Sequence, residues 1–576
     1  MKKVVYFIVI MVFSIYLFVC KNKDEFNKIP ECTNGSVEDG CLMVTTSNQL
    51  EDKDRHLTVT PGVQLEVKDL SDEYSIDANT LTTYTNSNDI NRYVNIEEFI
   101  QFFEGAIHPL SVEKDKDLTL SLEVETENEI GENEKYNARI VFDSDDETIY
   151  FSDFHYSEYL NVDAETDFGE GLVVIDYITE SKSLEKTMDL KPYGINIVEK
   201  DNKYYIPLYL ANLLLTGDSA HIYDVNYTLY LFDNFSDAMF TEDLTTYQKV
   251  KATNKLFSNS KNFLALLFDY YYGLKDYKQV DSYIKEFNDY ELEEQDNFLD
   301  YYNELTEFLV DNDDLHTWLI STGYNLDMES YTPDLSNLKK SSNIYRNAIS
   351  SYVSHQCSLQ TEEITYEEID GVMYIKINAF SEQTDELLKP VMEIASQYDD
   401  IVFDVKCNGG GMVSGVIHLL SYMTDEPIDI HYRDEVLDIN NNLIFETTES
   451  NYMDKNYYVV TSPVTFSAAN LFVSIVKENE LGVVIGEPSL GGACAIKMVV
   501  LPDGSIIQMS GPIGFTNSDY ETIENGVTVD FELIPSDYDE TYERRAAFFA
   551  TSKDINSSID YQNFDDEMTM DDLVFS

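Results

Sequence analysis

Basic residues are scarce in this sequence. Only 38 lysines and arginines stand against 107 aspartates and glutamates, a formal net charge of −69. So acidic a chain offers neither the cationic stripe that neutralises phosphates nor a basic patch for anionic lipid, which argues against nucleic acid as a partner. Cysteine is sparse too, and six in 576 residues do not make a disulfide scaffold. Cys32 and Cys41 are close enough to pair in an oxidising compartment, whereas Cys357, Cys407 and Cys494 are scattered among apolar segments and read as buried thiols. No constellation of metal-ligand spacing occurs, nor a P-loop or dinucleotide fingerprint. No cofactor is therefore expected. The acidic run "DSDDE" at 143–147 reads as a solvated turn in preference to a calcium loop. The N-terminus reads "MKK", then sixteen mostly apolar residues from Val4 to Val19. That falls short of the roughly 20 residues that span a bilayer and has the pattern of a secretory signal.

Cys20, at the end of that run, resembles the lipidation site of bacterial lipoproteins, with Leu17 at the aliphatic position but Phe18 and Val19 where small residues are expected. Either lipidation at Cys20 or an uncleaved apolar anchor would hold the chain to a membrane, and both place its bulk outside the cytoplasm. The chain divides into a signal segment (1–20), a polar tether (21–60), a β-rich module (61–240), a helical subdomain with the loop of His316 (242–370), an α/β region (371–550) and an acidic tail (551–576). Within the β-rich module "YVNIEEFIQFF" and "YYIPLYLANLLL" each precede a hairpin pattern, which predicts two related β-α-β-β units. Helical periodicity puts Leu264, Leu267, Phe268 and Tyr271 on one face, and Phe298, Tyr302, Leu305 and Leu309 on another. From Gly371 strands and helices alternate, and "PDGS" marks a hairpin turn.

Two stretches of the α/β region carry chemistry. "TFSAANLF" (465–472) lies between an apolar strand and a helix. Ser467 there reads either as the helix cap or as a nucleophile beside unpaired backbone amides. "FDVKCNGGGM" follows a buried strand with three glycines, 409–411, which let backbone N–H groups approach a ligand without obstruction.

These segments, with "GVMYIKINAF", "GVVIGEPSLGG", "LPDGS" and "ENGVTVD", occur in the order and at the spacing of the C-terminal processing, or tail-specific, serine peptidases, which the chain resembles over roughly residues 260 to 535. The resemblance implies an α/β fold of the crotonase or Clp-like spiral type and cleavage of polypeptide through an acyl-enzyme. Ser467 is then the nucleophile, with Gly410 and Ala468 forming the oxyanion hole. Many members place a lysine base after "GE", but here Gly492 stands at that position and Lys497 lies five residues on. A tricorn-like branch uses the histidine of a "DxHT"-type motif, which "DDLHTW" matches at His316, and a glutamate that maps to Glu524. Asp313 and Asp314 compete to orient the histidine, although an acidic run there reads as a solvated turn. Asn470 is given no role, and His418 is read as packed or capping. About 55 residues separate His316 from Gly371, fewer than the roughly 90 a PDZ-like insertion needs. The alternatives are a Ser-Lys peptidase using Lys497 and a noncatalytic peptide-binding lipoprotein of the same fold.

Overall fold

The structure, a computed structural model, describes residues 61–232, 252–323 and 362–533 with short gaps, together with Val59, Cys357, Glu543, Ala546, Ala547 and Ala550. Cys20, Cys32, Cys41 and the acidic tail lie outside the described residues.

The α/β region is built on a six-stranded sheet in the order Ile364–Ile369, Val372–Ile377, Asp400–Asp404, Asn456–Thr461, Val483–Gly486, Phe531–Glu532. The first pair is antiparallel and the rest are parallel. A parallel sheet is covered on both faces, which is why "IVFDV" and "YYVV" are continuous rather than alternating apolar runs. Ile401, Phe403 and Val459 face a core filled by the helices Thr384–Ala395, Val413–Leu420 and Ala468–Glu478. Val402 and Val460 face the other way, onto Tyr374, Ala546 and Ala547.

A second six-stranded sheet contributes the remaining wall of the site. Its order is Trp318–Ser321, Ile506–Phe515, Ile428–Asp434, Ile439–Thr447, Leu172–Thr179, with Cys494–Val500 also paired to Ile506–Phe515. The strand 172–179 thus leaves the N-terminal half and extends a sheet of the C-terminal half.

The other N-terminal strands form a seven-stranded and a five-stranded sheet. Strands Arg92–Asn95 and Lys203–Pro207 open the two strand-helix units and lie antiparallel, with Tyr205 opposite Asn95 and Pro207 opposite Tyr93. Helices Asn254–Tyr270 and Phe298–Asp311 bury the predicted faces, Tyr271 being half-buried at the end of the first, and they share one core with the N-terminal strands.

The "PDGS" turn does more than reverse the chain. Gly504 supplies the positive φ, 89°, while Asp503 is 1% exposed and accepts a hydrogen bond from the Tyr302 hydroxyl at 2.8 Å. The Tyr223 hydroxyl donates to the Gly504 carbonyl at 2.8 Å and Asn91 Nδ2 to that of Pro502 at 3.1 Å. The hairpin tip is a plug that joins the α/β region to the N-terminal half.

Two cysteines depart from the sequence reading. Cys357 and Cys407 form a disulfide across 50 residues, with Cα atoms 5.4 Å apart, and only Cys494 of the three is a buried thiol. Pairing depends on Cβ geometry, which sequence separation does not report. Among the described residues no helix is long and apolar enough to cross a membrane.

Candidate active site

Strands Asp400–Asp404 and Asn456–Thr461 are parallel neighbours, so the loops leaving their carboxyl ends meet in the crevice where α/β sheets bind ligands. The loop after Thr461 is stitched to the loop after Asp404. Ser462 Oγ donates to the Lys406 carbonyl, Thr465 Oγ1 to that of Val405 at 2.8 Å, and the Phe466 N–H to that of Asn408 at 3.1 Å. The Ser467 N–H donates to the Gly491 carbonyl at 2.8 Å. So held, Ser467 has φ 55° and ψ −124°, the geometry of the first central residue of a type II′ turn that glycine usually fills. Such backbone strain costs about 1–3 kcal/mol and gathers at functional sites. Ser467 occupies the cap position of helix Ala468–Glu478, yet its hydroxyl makes no capping bond. The capping reading is thereby set aside. The Ala468 N–H, first of the helix, is among the amides that a helix cannot satisfy internally.

The glycine loop touches this corner. A side chain at Gly410 (φ 108°) would place its Cβ 2.7 Å from Ser467 Cβ and 3.1 Å from the Ala468 nitrogen. At Gly411 a Cβ would fall 1.9 Å from the Phe380 carbonyl oxygen. The Gly410 carbonyl accepts from the Phe380 N–H at 3.0 Å, and the Gly410 N–H donates to Asn408 Oδ1 at 2.8 Å. Upstream, Lys406 is buried against the carboxylates of Asp404 and Glu543. Burial works against its charge, but the two carboxylates outweigh it and hold Lys406 above its ordinary pKa.

His316 enters from the strand Trp318–Ser321 side. Asp314 corrects the expectation of a solvated turn: it is 1% exposed, its Oδ1 accepts from the His316 N–H at 2.9 Å and its Oδ2 from the Thr317 hydroxyl. Thr317 Oγ1 in turn accepts from the Ser510 N–H at 3.3 Å, and Gln508 Nε2 donates to the His316 carbonyl at 2.9 Å. The letters D-x-H-T therefore spell a side-chain-closed turn that aims the histidine. The imidazole is 4% exposed, lies 4.6 Å from the ring of Phe466, and has no hydrogen-bond partner on either nitrogen. Burial lowers its pKa, with Asp314 opposing, so it is neutral at neutral pH.

Glu524 shares this neighbourhood through the backbone. Its Oε2 accepts from the Ala493 N–H at 2.7 Å, and its carbonyl accepts from the Gly492 N–H at 3.3 Å. Burial, with the Asp314 charge adding to it, raises its carboxyl to about 7. At Gly492 (φ 82°) a Cβ would fall 2.3 Å from the Phe466 ring. The ring that packs on His316 therefore fills the space where a lysine would start. Lys497 is half-buried on strand Cys494–Val500, its ammonium 5.3 Å from the ring centre of Tyr271.

Asn470 carries a role that the sequence reading missed. It is fully buried; its Nδ2 donates to the Ile523 carbonyl at 3.0 Å and its Oδ1 accepts from Ser489 Oγ at 2.7 Å. It thereby clamps the chain just before Glu524. An amide amid the apolar run "AANLFVSIV" was the available signal. His418 packs half-buried, with Nδ1 3.8 Å from Asp385. Among the described residues no group of three or more His, Cys, Asp or Glu is placed to hold a metal ion.

A search of protein families matches residues 371–533 to Peptidase family S41. That segment is an S41 peptidase domain. The matched segment is accordingly of the serine-peptidase class. No curated protein matches it, and solved structures are similar at low identity. The photosystem II D1 C-terminal processing protease is 18% identical over 31% of this chain and 50% of its own, with a TM-score of 0.28. Mature CPAF complexed with lactacystin is 11% identical over 51% and 97%, TM-score 0.39. A lipoprotein from Streptococcus agalactiae is 12% identical over 53% and 99%, TM-score 0.36. With TM-scores this low none of the three adds to the assignment, which rests on the family match.

Proposed function

We propose that this S41 domain, on a crotonase or Clp-like spiral, hydrolyses extracytoplasmic polypeptide through an acyl-enzyme on Ser467, with His316 as base. The observation that carries this reading is the strained, uncapped Ser467 hydroxyl, with Gly410 against its Cβ and His316 packed on the residue before it. His316, neutral because it is buried, takes the Ser467 proton as Oγ attacks the scissile carbonyl. The Ala468 N–H and the glycine loop at Gly410 border the developing oxyanion, and the imidazolium returns its proton to the leaving amine. Water then repeats the sequence on the ester. Asp314, whose charge opposes the lowering of the His316 pKa, and Glu524, ionised above about pH 7, are the carboxylates available to the imidazolium. The packing of Phe466 against Gly492 leaves no room for a side chain there, and Lys497, the base of the Ser-Lys alternative, lies with its ammonium 5.3 Å from the ring centre of Tyr271, which favours the histidine route.

The Cys357–Cys407 disulfide supports an oxidising, extracytoplasmic compartment, to which lipidated Cys20 or the apolar N-terminus would tether the chain. The test is labelling with a fluorophosphonate and mapping of the modified peptide. Ser467 is the expected site, and Ser467→Ala should lose both label and hydrolysis of an unfolded polypeptide while melting like the wild type. An active alanine variant would overturn the reading, and a wild type that binds peptide but never cleaves it would favour the noncatalytic alternative.

A further inference from the structure

The glycine loop holds one more polar group than its own architecture needs. Asn408 is fully buried between the two loops of the site: its carbonyl accepts from the Phe466 N–H at 3.1 Å and its Oδ1 from the Gly410 N–H at 2.8 Å. An amide N–H requires an oxygen acceptor, so this bond fixes the orientation of the carboxamide and identifies the other arm as Nδ2. That Nδ2 is buried and has no hydrogen-bond partner. Buried donors are nearly always satisfied, and leaving one unpaired costs stability.

The position of the carboxamide suggests what Nδ2 awaits. It sits one hydrogen bond from Gly410, whose missing side chain is the space taken by Ser467 Cβ, beside the Ala468 nitrogen. The Gly410 N–H is already spent on Asn408 Oδ1, so the loop's nearest backbone amide is not free for substrate. An acceptor brought within reach of Nδ2 would meet a desolvated NH2 group, where a charge-assisted hydrogen bond forms strongly.

We propose that Asn408 is a catalytic residue, its Nδ2 joining the Ala468 N–H as donor to the substrate oxyanion while its Oδ1 keeps the loop closed. The proposal rests on acyl transfer at Ser467. During attack the carbonyl π pair moves onto oxygen, Nδ2 donates to that oxygen without giving up its proton, and the bond is released when the carbonyl re-forms and the amine leaves.

The discriminating variant is Asn408→Asp, which retains the acceptor for Gly410 and exchanges only the NH2 group for oxygen. Its kcat should fall roughly 10²–10³-fold with KM nearly unchanged, and its affinity for a peptide aldehyde should fall far more than that for the cleaved peptide. The introduced carboxyl can donate once protonated, so the ratio of variant to wild-type kcat should rise as pH falls. If Asn408→Asp melts early, Asn408→Ser, whose hydroxyl also accepts from an amide two residues on, should show the same loss in kcat. Wild-type kcat in either folded variant, or a loss confined to KM with a pH-independent ratio, would overturn the role of Asn408 alone. Failure of the wild type to label at Ser467 would overturn the acyl-transfer reading and this proposal together.

Discussion

Replacing Glu524 by glutamine should make the protein more stable and less active, in amounts set by pH. In the fold, burial and the Asp314 charge raise the Glu524 carboxyl from 4.5 to about 7, although the Ala493 N–H pulls the other way. A raised pKa means that the folded state holds this proton more tightly than the unfolded chain. Its contribution to stability is therefore complete below the unfolded value and is lost as pH rises through about 7. Taking the shift from 4.5 to about 7 at 1.36 kcal/mol per unit, ionised Glu524 costs the wild type at most about 3 kcal/mol at pH 8. Glutamine stays neutral and retains a carbonyl oxygen for the Ala493 N–H, so Glu524→Gln should resist urea better than wild type at pH 8 and equally at pH 4.5. Activity should move the opposite way. If the carboxylate steadies the imidazolium, wild-type turnover should rise through about pH 7, and the variant should lose roughly 10²–10⁴-fold above that pH. Urea midpoints at the two pH values and hydrolysis of a fluorogenic peptide from pH 5 to 9 measure both. A pH-independent stability difference would refute the burial argument, and full activity with an unchanged profile would remove Glu524 from the mechanism.

Four further outcomes are expected. His316→Ala should abolish nearly all turnover, whereas Lys497→Ala, whose ammonium lies 5.3 Å from the ring centre of Tyr271, should retain most of it; the reverse would establish the Ser-Lys route. Because burial lowers the His316 pKa, turnover of Glu524→Gln should fall on acidification only below the ordinary histidine value of about 6.5, and a limb above it would contradict that burial. Gly410→Val, whose Cβ would fall 2.7 Å from Ser467 Cβ at φ 108°, should reduce kcat by roughly a hundredfold or more while peptide affinity survives; unchanged turnover would move the reacting carbonyl elsewhere. Reduction of Cys357–Cys407, which closes 50 residues, should remove up to about 4 kcal/mol of stability and slow turnover through the loop that starts at Cys407, and intact activity in Cys407→Ser would separate the two effects.

The strand-to-helix corner at Ser467 and the glycine loop were legible in the sequence because each is a local device, whereas the roles of Ser467 and His316 came from the order and spacing of motifs shared with a family. A corner and a positive-φ loop need only neighbouring residues of the right kind. The faces of the helices Asn254–Tyr270 and Phe298–Asp311 were legible for the same reason, since periodicity records which side is buried. Pairings between distant segments were not. Nothing within the "CNGGG" segment says that Cys407 bonds to Cys357 or that Asn408 spans two loops. Asp314 read as solvated because charge runs usually are, and it is buried only because the strand Ile506–Phe515 brings Ser510 and Gln508 onto its turn. "PDGS" specified a reversal of the chain but not the pocket around Asp503. The sequence by itself determined local conformation and the inventory of reactive groups. The tertiary structure alone decided which of those groups are dry, paired or left waiting for an acceptor, because desolvation and hydrogen-bond satisfaction depend on everything that packs around an atom, from whatever part of the chain it comes.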